Sequence, residues 1–174
     1  MPKLPAANLA KLKTAFASNH FPDDGPDADF LYDFVSELHY STAEDAFEPG
    51  PRSARRDVSI LLNIWDSIPC DGMITGVFMN QAELVPEAIA IASELGLREQ
   101  AKLLQQGLAL FPAHLVDGHD IHARLEWFRS PEGESVSDEI DQLGDTLEEW
   151  EHRGPVYEAC LRRVLAEPAQ FFDA

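Results

Sequence analysis

Apolar residues recur along this chain at the three- and four-residue spacing that gathers them on one side of a helix. Leu9, Leu12 and Phe16 set the pattern over residues 6–18. Phe30, Phe34 and Leu38 repeat it over 29–39, with Asp29, Asp33 and Glu37 turned outward. Between these two helices, "FPDDGPDAD" at 21–29 is turn chemistry, Pro and Gly set among Asp. Ser41 followed by Glu44 reads as a capping box for a short helix. "EPGP" at 48–51 then breaks the chain, dividing an N-terminal helical arm, 1–50, from a core of 51–174 within a single domain.

From Ser53 the helical signal strengthens. Val58, Leu61, Leu62, Trp65 and Ile68 form an apolar stripe that ends near Pro69. Pro86 suits the first turn of a helix running to Leu95, and Gly96 is a natural stop. "LREQAKLLQQGLALFP" restarts at once, so these two helices form an antiparallel hairpin. A further helix over 118–128 carries Ile121, Leu125 and Phe128. "SPEGES" reads as a loop, with Ser137 capping the helix that follows. Gly154 and Pro155 separate that helix from a last one through Ala166, packed by Val156, Cys160, Leu161 and Val164. Trp65, Trp127 and Trp150 stand at apolar positions of core or subunit-interface type. Strand alternation is confined to a short run at 74–79. The pattern predicts an all-α fold, a compact bundle of seven to eight helices.

Charge alters this ordinary picture. The 174 residues carry 31 Asp and Glu against 13 Lys and Arg, a formal −18. Residues 14–51 hold nine acids and no base, and residues 130–151 hold nine more with no base. Direct binding to nucleic acid or to an anionic membrane is excluded as an expectation, because both demand positive charge. The N-terminus lacks the continuous apolar run of a secretory signal, and no stretch is long enough to span a membrane. Cys70 and Cys160 match no metal or redox spacing, which leaves reduced, buried thiols and a cytoplasmic setting as the expectation.

The densest acidic stretch is "SDEIDQLGDTLEEWE", residues 137–151. Asp138, Asp141, Asp145 and Glu148 fall on one helical face, and Ile140, Leu143, Leu147 and Trp150 on nearly the opposite one. Glu139 and Glu149 flank the quartet, and Asp29, Asp33 and Glu37 supply a second row. A chain needing only solubility intersperses Lys and Arg among its acids. The competing chemistry is "HLVDGHDIHARLE" at 114–126, where His119, His122 and Glu126 have a spacing that suits a divalent metal, in the manner of a small hydrolase using His119, Asp120 and His122. Polar surface residues on a short helix account for it more simply, so no catalytic residue, metal or cofactor is assigned.

"DGMITGVFMN" at 71–80 reads as a tight connection, with glycines allowing close backbone approach, Phe78 buried and Asn80 capping the next element. Together with "EAIAIASELGLREQAKLLQQGLALFP" and "LEEWEHRGPVYEACLRRVLAEPAQFF", it resembles a bacterial family of all-helical acidic DNA-mimic proteins over about residues 56–172. Asp71 stands where that family usually has Asn, and Met73 and Ile74 replace a Gly and a Phe. The resemblance implies an all-α homodimer whose carboxylates imitate a phosphate backbone. Its partner would be a basic DNA-binding protein such as a transcription regulator, or a basic nuclease toxin.

Overall fold

A computed structural model describes residues 3–18, 20–22, 24–48 and 50–173. Pro49, within the turn at 48–51, lies outside the described residues. The protein is all-α. Nine α-helices occur among the described residues: α1 (Ala6–Ala15), α2 (Pro26–Thr42), α3 (Ala54–Gly72), α4 (Val85–Glu94), α5 (Arg98–Leu110), α6 (Ala113–Val116), α7 (Ile121–Phe128), α8 (Pro131–Glu148) and α9 (Trp150–Ala166). They group into two units. One comprises 1–63 and 154–174 and the other 64–153, so the division does not follow the turn at 48–51.

In the first unit α2 buries Leu31, Phe34, Val35 and Leu38, while Asp29, Asp33 and Glu37 face solvent. The chain ends are tied together. Leu4 N–H donates to the Phe171 carbonyl at 2.8 Å, and Asp173 N–H donates back to Leu4 at 3.0 Å. Three ion pairs brace the interior. Arg55 Nε reaches Asp45 at 2.5 Å, and the 1% exposed Asp57 is held by Arg52 at 2.7 Å and Arg163 at 3.1 Å. The expected capping box at Ser41 is absent. Helix α2 runs on through Thr42, and the Ser41 hydroxyl bonds back to the Leu38 carbonyl at 2.9 Å.

In the second unit α4 and α5 form the hairpin, turned at Gly96 with φ 83°. Phe111 anchors an aromatic cluster with Phe78 at 5.0 Å, Trp127 at 5.2 Å and Phe128 at 5.7 Å. Helix α8 packs against α5, α7 and the turn 73–79.

Several boundaries differ from expectation. Helix α3 continues through Pro69 and stops at Gly72, whose φ of 74° only glycine adopts without strain. Met73–Met79 form a π-helical turn and no strand. Asn80 ends that turn through its backbone N–H to Val77 and caps nothing beyond it. "SPEGES" is no loop, because the Ser130 hydroxyl accepts from Gly133 N–H with Pro131 next, and α8 starts there. Ser137 instead donates to the Gly133 carbonyl at 2.9 Å. Gly154 and Pro155 lie inside α9, and the chain breaks earlier, at Glu149 with ψ 142°. Of the two thiols, Cys160 is buried but Cys70 is exposed. Trp65 is fully buried, whereas Trp127 and Trp150 are only half-buried.

Candidate acidic interface

Starting α8 at Pro131 adds Glu134 to the expected acidic row. At about 100° per residue, Glu134, Asp138, Asp141, Asp145 and Glu148 fall within an arc of roughly 80° and span about 21 Å. All five are exposed. The spacing is one carboxylate per roughly 5 Å, against about 3.4 Å per phosphate along one DNA strand.

The buried face of α8 is Gly133, Ile140, Gly144 and Leu147, with Leu143 only half-buried. It lies roughly 110° from the acidic row and not opposite to it. The glycines cause this. A Cβ on Gly133 would sit 2.2 Å from the Trp127 carbonyl oxygen, and one on Gly144 would sit 2.8 Å from Met73 Cβ. Close approach on that side rolls the helix, so its acids flank the packed surface. Asp141, Asp145 and Glu148 line a cleft of about 310 Å³ together with Ile68, Gly72 and Met73. Burial there, with Asp145 and then Asp138 adding like charge, holds the Asp141 carboxyl above its ordinary value of 3.8.

Counter-charge is unevenly supplied. Arg52, Arg55 and Arg163 serve Asp57, Asp45 and Glu167, and Arg162 serves Glu158. The 1% exposed Arg124 serves Glu83 at 2.8 Å. Among the described residues no ion pair reaches Glu134, Asp138, Glu139, Asp141, Asp145, Glu148 or Glu149. The last turn of α8 also holds no basic residue, so its acids face the negative end of their own helix dipole. Glu139 is exposed but lies about 140° around the helix from the middle of the row, and Glu149 stands at the break after α8. Asp29, Asp33 and Glu37 share the outer face of α2, where Glu37 accepts from Asn8 Nδ2 at 3.2 Å.

The metal-type cluster is not assembled. His119 precedes α7, and its Nδ1 lies 2.7 Å from Glu83 Oε1. Asp120 is the α7 cap, accepting from Ala123 N–H at 3.0 Å. Among the described residues, one group brings ligand atoms within 4.8 Å of one another, namely Glu149, Glu151 and His152. It sits at the N-terminal end of α9, where the helix dipole opposes a cation.

Sequence reading missed Arg124, whose guanidinium donates to the carbonyls of Met79 and Leu115 at 3.0 Å each and to that of Gly118. A lone Arg at a position matching the apolar spacing of Ile121, Leu125 and Phe128 was the available signal. No helix among the described residues is long and apolar enough to cross a membrane. Comparison of the chain with protein-family models, with curated proteins and with solved structures gives no match. The resemblance over residues 56–172 therefore rests on its motifs alone.

Proposed function

We propose that this chain is a binding protein, without catalysis of its own, whose α8 acids stand in for a phosphate backbone. They would occupy the nucleic-acid-binding face of a basic protein such as a transcription regulator. The observation that supports this reading is the five-carboxylate row left without counter-ions, while Arg52, Arg55, Arg124, Arg162 and Arg163 pair with other acids. Each like-charged pair at i,i+3 or i,i+4 costs a few tenths of a kcal/mol, so the row costs its helix about 1 kcal/mol. A surface that needed only hydration would relieve that repulsion with interspersed Lys and Arg.

The row is sparser than a DNA strand, so recognition would rest on field and register over many weak contacts. Asp29, Asp33 and Glu37, on the outer face of α2 in the first unit, are a separate acidic row for such a partner. The motif resemblance adds the expectation of a homodimer, which sedimentation tests.

The test is capture of proteins from the native cell on the immobilised chain, eluted with rising salt. A second column carries the chain with Asp138→Asn, Asp141→Asn, Asp145→Asn and Glu148→Gln. The reading expects a basic DNA-binding protein that leaves at moderate salt and is not retained by the neutralised chain. Equal retention by both columns, or a complex indifferent to salt, contradicts it.

A further inference from the structure

We draw no further inference here: the strongest candidate, the side-chain cluster of Glu149, Glu151 and His152 at the break between α8 and α9, is two exposed carboxylates and a half-buried imidazole, with nothing else among the described residues that points to a bound cation.

Discussion

Arg124 Nη2 donates to Glu83 Oε2 at 2.8 Å from a side chain that is 1% exposed, making it the most deeply buried cation of the second unit. The same guanidinium ties down the carbonyls of Met79, Leu115 and Gly118. Arg124→Met keeps the bulk, leaves those carbonyls without their donor and leaves Glu83 with His119 as its remaining partner. A loss of about 3–5 kcal/mol is expected, because removing one partner of a buried pair strands the other. Urea denaturation checks this through a lowered midpoint at unchanged slope.

Glycine substitutions should sort by what a methyl group would meet. Gly133→Ala collides with backbone, the Trp127 carbonyl at 2.2 Å, whereas Gly144→Ala meets the Met73 side chain at 2.8 Å. A cost of about 1–3 kcal/mol is expected for Gly144→Ala and a larger one for Gly133→Ala. Gly50→Ala has nothing within 4 Å and should be neutral or slightly stabilising. Thermal melts of the three variants give the order directly.

These two sets of residues also show how far the sequence was legible. The helical fold, the hairpin stopped at Gly96 and the buried stripe of α3 followed from apolar periodicity and glycine chemistry. Boundaries failed where two signals competed. Ser130–Pro131 is a strong helix start, but Gly133 behind it imitated a loop; the packing of Gly133 on Trp127 decided the matter. Gly154–Pro155 imitated a break that a buried, continuous α9 overrides. Among the acids, Asp138, Asp141, Asp145 and Glu148 were readable as one face. The cleft was not readable, because it depends on Met73 meeting Gly144 across distant sequence. The partner of His119 was unreadable for a similar reason, since Glu83 is 36 residues away (119 − 83).

Asp141 should give the protein a pH dependence of definite sign. Its folded carboxyl titrates above the ordinary 3.8. The stability it contributes is therefore fully present below the ordinary value and is lost as pH rises through the shifted one. Asp141→Asn should consequently stabilise the chain at neutral pH, with the advantage disappearing on acidification below the carboxylate range. Urea midpoints measured across that range test it; a variant less stable than the parent at neutral pH contradicts the assignment.

Self-repulsion along α8 predicts a salt response. Raising NaCl should raise the melting temperature by screening the row. The chain with Asp138, Asp141, Asp145 and Glu148 neutralised should melt higher than the parent at low salt, and the gap should close as salt rises. A gap that persists at high salt would trace the gain to packing instead.

The most direct trial of the account is whether duplex DNA and this chain exclude each other from the same basic protein. With the captured partner in hand, fluorescence anisotropy of a labelled duplex bound to it would be followed as this chain is added. The account predicts full displacement of the duplex, weakening steeply with salt, and no displacement by the chain with the four α8 acids neutralised. A ternary complex that keeps its anisotropy, or equal displacement by the neutralised chain, would contradict it.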